Sequence, residues 1–307
     1  MKKMVITGVN GFIGRHAKEY FEKEYEITGL DLAANYSGER EPDDTMTYYQ
    51  CNMSQESAEM AAIFTGVQPD VILHCAGSAN VGASVVNPMA DLDGNLHSLY
   101  QLLLVLKSFE KRPEIIFLSS AGVYGNPRQL PVRESDVAAP MSPYGLHKHM
   151  GEELCEYYNR IHGYHIRSIR IFSAYGNGLR KQLLWDIYQK YQNTGRIELF
   201  GTGEETRDFI HVSDIMRAID LILSYDGPET VINVANGEEV SIRELAEIYA
   251  EKLGAPQNIV SFNGAVKEGD PRNWRADISL LRKLGYEKQM ELSDGIAAYV
   301  DWAKAQD

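Results

Sequence analysis

Tyr144 and Lys148 stand four residues apart in SPYGLHKHM, residues 142–150. A phenol with its ordinary pKa near 10 is a poor base at neutral pH. A nearby ammonium favours the phenolate, which can take a proton from an alcohol or, as the phenol, return one to a carbonyl oxygen. A solvated i, i+4 pair, worth about 0.2–0.5 kcal/mol, has the same spacing. In FLSSAGVYG, residues 117–125, an apolar run ends in Ser119 and Ser120. Adjacent strand residues face opposite ways, so one serine can hydrogen-bond a substrate hydroxyl or carbonyl; a turn with serines bonding local backbone is the other explanation. In MVITGVNGFIG, residues 4–14, Gly8, Gly11 and Gly14 follow a short apolar run. Such a turn lets backbone approach a pyrophosphate, which the next helix meets with its free N–H groups. A tight turn without a ligand is the alternative, and the strand-turn-helix context weighs against it. Asp31 follows the glycines by about 20 residues, where an acid binds the adenosine ribose and repels a 2′-phosphate, favouring NAD over NADP.

These residues need elements to hold them. MVIT (4–7), EITGL (26–30), MTYYQ (46–50), VILHC (71–75), IIFLS (115–119) and IRSIRIF (166–172) read as strands. Helical patterns fall near 12–24, 56–65, 95–110 and 143–162. Alternation of this kind predicts an α/β fold with a Rossmann-type doubly wound parallel sheet, whose ligands bind at the carboxyl ends of the strands. Ser142 suits a helix N-cap and Pro143 the first helical position. Leu146, Met150, Leu154, Tyr157 and Ile161 then form one apolar stripe, with Tyr144 and Lys148 well off its centre. After residue 172, helical patterns at 182–193, 213–224, 241–253 and 292–304 mix with the short strands IELF (197–200) and VINVA (231–235). Residues 1–172 are therefore expected to form a dinucleotide-binding domain, to which the chain returns near 208–236. Residues 173–307 are expected to form mainly a smaller mixed α/β substrate domain.

The 307 residues suffice for a sizeable core. A net charge of −13 disfavours nucleic acid as a general partner. Cys51, Cys75 and Cys155 show neither metal nor disulfide spacing and read as thiols of a reducing compartment. The apolar run at the N-terminus is too short for a signal peptide, and none approaches the roughly 20 residues of a membrane span. A cytoplasmic location is expected, with no membrane partner. His147 and His149 are two apart on a helix and cannot face one ligand, so no metal site is expected there. Trp185, Trp274 and Trp302 read as packing residues, and EREPDD (39–44) as a solvated loop.

Together TGVNGFIG, Asp31, SSAGVYG and YGLHK resemble the extended short-chain dehydrogenases/reductases. Within these, the chain resembles the NAD-dependent nucleotide-sugar epimerase/dehydratase family. The similarity continues through HCAGSANVGASVVNP (74–88), FGTGEETRDFIHVSDI (200–215), NVANGEEVSIRELA (233–246) and EGDPRNWRADIS (268–279). The resemblance implies Ser120 as hydroxyl donor, Tyr144 as acid/base and Lys148 as its partner and a ligand of the nicotinamide ribose. It places Gly8, Asn10, Gly11, Phe12, Ile13, Gly14, Asp31, Asn52, Met53, Ala76, Gly77 and Asn95 at NAD. It places Ser84, Ser120, Ser173, Arg207, Lys267 and Arg272 at the nucleotide sugar, with Arg207 on the diphosphate, where a guanidinium fork suits phosphate oxygens. It also implies a homodimer pairing the helices near 95–110 and 143–162.

The chain departs from the family's pattern in places. Ala121 and Gly122 stand where dehydratases usually carry acids, which argues against 4,6-dehydration. The run with Gly82 and Ser84 looks most like 4-epimerases. Yet Ala79, Asn52, Ser173 and Lys267 replace the family's frequent lysine, aspartate, asparagine and arginine, and the loop at 177–186 looks shortened. The leading expectation is an NAD-dependent nucleotide-sugar epimerase acting at C4 through a 4-keto intermediate. A 4-keto nucleotide-sugar reductase using NAD(P)H is the alternative. A non-catalytic dinucleotide-binding protein stands third, against the presence of Ser120, Tyr144 and Lys148.

Overall fold

A computed structural model of the chain describes residues 1–36, 46–55, 58–256, 258–265, 269 and 271–306; Lys267 and the EREPDD stretch lie outside them. The chain forms two compact units: Met1–Val123, Ser142–Arg170 and Ile222–Ile232 make the first, and Tyr124–Met141, Ile171–Leu221 and Asn233–Asp307 the second. In place of one boundary after 172, residues 124–141 belong with the second unit, and only 222–232 return to the first.

The first unit begins with β1 (Lys2–Thr7), α1 (Phe12–Phe21), β2 (Tyr25–Asp31), β3 (Met46–Gln50), α2 (Ala58–Val67) and β4 (Val71–His74). Then come α3 (Val81–Val86), α4 (Pro88–Leu92), a π-helical turn at Asp93–His97, α5 (Ser98–Leu106), β5 (Glu114–Ser120), α6 (Pro143–His162) and β6 (His165–Ile171). The expected helix over 95–110 is thus interrupted, since the π-turn takes its first residues and α5 stops at Leu106. The chain continues with β7 (Ser173–Tyr175), α7 (Gln182–Thr194), β8 (Ile197–Leu199), β9 (Thr206–Arg207), β10 (Phe209–His211), α8 (Val212–Leu223) and β11 (Val231–Val234). It ends with β12 (Val240–Ser241), α9 (Ile242–Leu253), β13 (Val260–Phe262), α10 (Ser279–Lys283) and α11 (Leu292–Lys304).

Among the described residues, seven strands form the main sheet in the order β11-β6-β5-β4-β1-β2-β3. β1 pairs in parallel with β2 on one side and β4 on the other. The order reverses there, which makes the carboxyl ends of β1 and β4 the switch point where such sheets bind ligands. Val5, Leu30, Ile72, Ile115 and Phe117 of the strands pack against Phe64 of α2, Leu102 and Leu103 of α5, and Cys155 and Tyr158 of α6. Strands buried on both faces read as continuous apolar runs, which explains why their sequences were so plain.

Among its described residues the second unit holds three two-stranded pairings, β7 with β10, β9 with β12 and β8 with β13. Its centre is polar as well as apolar. Asp208, fully buried, accepts N–H bonds from Asn236, Gly237 and Ala276, each at 3.0 Å. Burial pushes its carboxyl up to about 7, and the backbone donors pull against that rise. Trp185 and Trp302 pack together with ring centroids 5.9 Å apart.

Candidate active site

The turn between β1 and α1 is built by glycine. Gly8 has φ +67°, and a Cβ there would lie 2.8 Å from the Ala76 nitrogen; one on Gly14 would lie 2.3 Å from the Gly8 oxygen. Gly11 is the N-cap of α1, and no side chain caps that end. Asp31, at the end of β2, accepts from the Asn10 N–H (2.9 Å) and the Ala33 N–H (3.3 Å). The Asn10 amide donates to Asn35 O and the Tyr48 hydroxyl, both at 3.1 Å. Thr7 joins the ends of β1 and β4: its Oγ1 accepts from the Ala76 N–H at 3.1 Å and lies 2.9 Å from His74 Nδ1. Burial pushes His74 down to about 3, which keeps the ring neutral; Ser98 Oγ, 3.5 Å from Nε2, gives its own proton to Gly94 O, so Nε2 carries the ring hydrogen and Nδ1 accepts from the Thr7 hydroxyl.

Gly77 follows β4 with φ +134°, and its Cα faces Asn95 in the π-turn. Asn95 donates to Ser78 O (3.1 Å) and Asp91 Oδ1 (3.0 Å), while its Oδ1 is buried with no hydrogen-bond partner. An unpaired buried acceptor is costly and calls for a donor. Asn52 is exposed and accepts from both the Ser54 N–H and its hydroxyl. The Met53 side chain lies in the core with Cys51 and Met60, leaving its backbone as the part able to meet a ligand. An uncapped helix start behind a glycine turn, an acid at the end of β2 and a buried orphan acceptor beside Gly77 together fit a dinucleotide.

α6 brings Tyr144 and Lys148 to the same unit. Ser142 caps it by accepting from the Gly145 N–H at 3.1 Å, and Pro143 opens it. The Tyr144 N–H donates to Ser84 Oγ (3.2 Å), which donates in turn to Val81 O (2.7 Å). Ser84 thus gives its one proton to Val81 and helps hold the start of α6. Ser119 and Ser120 do point opposite ways. Ser119 is buried and donates to Glu152, whose carboxylate also receives Arg170 through Nε (2.9 Å) and Nη2 (2.7 Å). Ser120 Oγ accepts from the Gly122 N–H at 3.1 Å, and both it and the Tyr144 ring lie against Gly122.

The electrostatics differ from the simplest expectation. Burial pushes Tyr144 up to about 12; Ser120 lowers it and the Asp91 charge adds to the rise. Burial pushes Lys148 down to about 8, opposed chiefly by Asp91 and, more weakly, by Cys75, Cys155 and Glu152. The Lys148 ammonium sits 4.9 Å from the centre of the Phe117 ring. In the protein by itself, desolvation therefore outweighs any help that Lys148 gives the phenolate.

The second unit places Arg207 with its guanidinium carbon 5.4 Å from the Trp274 ring centroid. Nη1 of Arg207 donates to Thr206 O (2.8 Å) and Arg272 O (3.2 Å). Trp274 donates to Gly125 O at 3.0 Å and packs against Phe172, consistent with a packing role. Ser173 lies in β7 opposite Phe209 of β10. Arg272 is exposed, and with Asn126, Arg128 and Asn273 it lines a hollow of about 490 Å³.

Three buried arrangements were not legible beforehand: Thr7–His74, Ser119–Glu152–Arg170 and Asp91–His147. In the last, His147 Nδ1 lies 2.7 Å from Asp91 Oδ2, with both residues buried. Each joins residues far apart in the chain, so spacing carries no trace of it. Among the described residues, no three His, Cys, Asp or Glu side chains cluster so as to hold a metal ion, and no helix is long and apolar enough to cross a membrane.

Residues 4–235 match the model of the NAD dependent epimerase/dehydratase family. The chain is 29% identical to a UDP-glucuronate 4-epimerase of Thermodesulfobacterium geofontis, over 98% of this chain and 95% of that one. A solved UDP-N-acetylglucosamine 4-epimerase of Methanobrevibacter ruminantium, in complex with UDP-N-acetylmuramic acid, superposes with a TM-score of 0.90 and 26% identity over 100% and 99% of the two chains. A UDP-glucuronic acid 4-epimerase of Bacillus cereus, in complex with UDP-glucuronic acid and NAD, gives 0.90 and 26% over 99% and 100%. A matched model spanning most of the sequence, on a sheet and glycine turn of the required kind, establishes that the chain belongs to the NAD-dependent epimerase/dehydratase family.

Proposed function

We propose that the protein is an NAD-dependent nucleotide-sugar 4-epimerase whose substrate is a UDP-sugar. The observation that carries this reading is the meeting of the Ser120 hydroxyl and the buried Tyr144 ring at Gly122, with Lys148 buried one helical turn on. Full-length similarity to 4-epimerases of UDP-sugars supports the substrate class. Bound NAD supplies the hydride acceptor at the sugar's C4 and, while oxidised, a positive charge that favours the phenolate. Tyr144 takes the C4 hydroxyl proton as the carbonyl forms and returns it when the other face is reduced. Ser120 Oγ already accepts a backbone N–H, so its own proton is available to the sugar oxygen or the phenol. Lys148 holds the nicotinamide ribose. Gly8, Gly11, Gly14 and the start of α1 take the pyrophosphate, and Asp31 the adenosine ribose. Arg207 and Arg272 suit the substrate diphosphate, because guanidinium forks match phosphate oxygens.

We also propose a cytoplasmic homodimer. Three free cysteines suit a reducing compartment. Tyr100 and Leu104 on α5, with Leu146, Met150, Tyr157 and Ile161 on α6, are exposed apolar side chains on two neighbouring elements of the first unit. That is the composition of a surface made to be covered.

A panel of UDP-, dTDP-, CDP- and GDP-sugars, with products resolved by NMR, tests the assignment. Interconversion of a C4 epimer pair without net consumption of added cofactor is expected. Stoichiometric oxidation of NADH with a 4-keto sugar would make the enzyme a reductase instead. Tyr144→Phe is expected to lower turnover by roughly 10²–10⁴-fold; normal turnover by that variant would remove Tyr144 from the chemistry.

A further inference from the structure

Asp91 and His147 form a buried pair that the reaction does not use directly. Asp91 lies in α4 and His147 in α6, immediately before Lys148. Both Asp91 oxygens are engaged: Oδ2 lies 2.7 Å from His147 Nδ1, and Oδ1 accepts from Asn95 Nδ2 at 3.0 Å. A carboxylate only accepts, so the proton of the first bond sits on Nδ1 of the histidine. The same logic fixes the Asn95 amide. Its two N–H bonds go to Asp91 and Ser78 O, and a flipped amide would set oxygen against the carboxylate. The amide oxygen is therefore held as an unpaired acceptor beside Gly77.

Asp91 is also the charge common to both reacting side chains. It favours the Lys148 ammonium and disfavours the Tyr144 phenolate. The other groups acting on Lys148 are Cys75, beside β4, and Cys155 and Glu152 on α6; on Tyr144 the other is Ser120.

We propose that Asp91 and His147 are positioning residues of the active site: the pair ties the first turns of α6 to α4, orients the Asn95 carbonyl oxygen as an acceptor, and keeps a fixed negative charge beside Lys148. The proposal rests on reading Tyr144 and Lys148 as the acid–base pair.

The test uses the full chain. His147→Asn retains an amide donor near the position of Nδ1, whereas His147→Leu retains only bulk. With the UDP-sugar that turns over, His147→Leu is expected to lower kcat at least tenfold with KM changed less than threefold, and His147→Asn to stay within about threefold of the parent. Asp91→Asn is expected to move both limbs of the pH–rate profile to lower pH, because Lys148 and Tyr144 both lose the charge that raises them. Loss of folded protein would scale the profile without moving it.

A second readout needs neither cofactor nor turnover. Asp91→Asn is combined with Lys148→Met, and urea midpoints are compared at pH 7. The loss caused by Asp91→Asn is expected to shrink clearly in the Lys148→Met background. Equal losses in both backgrounds, or equal kcat for His147→Asn and His147→Leu, would overturn the proposal. Full turnover by Tyr144→Phe would instead overturn the acid–base reading, and the midpoint comparison would still report on Asp91.

Discussion

At Lys148, burial and charge oppose each other, and the opposition is measurable without ligand. Burial lowers the ammonium from its usual 10.5 to about 8. A lowered lysine pKa means that the folded state resists the proton. The cost is complete below about pH 8 and fades as pH rises toward the unfolded value. Lys148→Met is thus expected to be more stable than the parent at pH 7, by on the order of 3 kcal/mol as an upper bound. The advantage should vanish between about pH 8 and 10.5, as followed by urea denaturation of the protein without cofactor. Asp31 gives a prediction of selectivity. Asp31→Ser removes the charge that repels a 2′-phosphate, so the preference for NAD over NADP should fall at least tenfold by equilibrium binding. Tyr144, Ser120 and Lys148 were legible because each sits in a local pattern, a capped helix start or the end of an apolar strand. His147 was set aside because only its neighbours on the same helix could be weighed. Its partner Asp91 lies 56 positions earlier.

α6 turns its composition inside out. Leu146, Met150, Tyr157 and Ile161 of the expected stripe are exposed and Leu154 is half-buried against the core, while Tyr144, His147, Lys148, Glu152 and Cys155 are buried. The spacing of the stripe was plain in the sequence, but which side it faced was not. Periodicity locates a face and says nothing about what covers it. Glu152 and Arg170, which no sequence spacing connects, are brought together by the fold. Glu152→Ala would take from the buried Arg170 the carboxylate that its Nε and Nη2 meet and is expected to cost about 3–5 kcal/mol in chemical denaturation. Adding Arg170→Met should recover much of that loss. Ser142→Ala removes the cap of the same helix and should cost about 1 kcal/mol. The strands were the most legible elements because burial on both faces leaves unbroken apolar runs. The break before α5 was not legible, since nothing in DGNLH announces a π-turn.

For the whole molecule, the proposed dimer would be held through the exposed side of α6. Leu146→Glu combined with Tyr157→Glu is expected to convert a dimer to a monomer in sedimentation, with the unfolding midpoint of the first unit little changed. The order of synthesis carries another consequence. The main sheet receives its last strand, β11, from residues 231–234, long after its other six strands are complete at residue 171. Until then β6 presents unpaired N–H and C=O groups along one side, the kind of edge that recruits other chains. A chain cut after residue 172 would keep every glycine and acid assigned to the cofactor, yet would be expected to aggregate. A nascent chain faces the same hazard while residues 173–230 are being made. The molecule therefore cannot be divided at the point where its sequence changes rhythm, and a shortened version of the first unit would need β11 brought in by a crossover such as α8, because β11 runs parallel to β6.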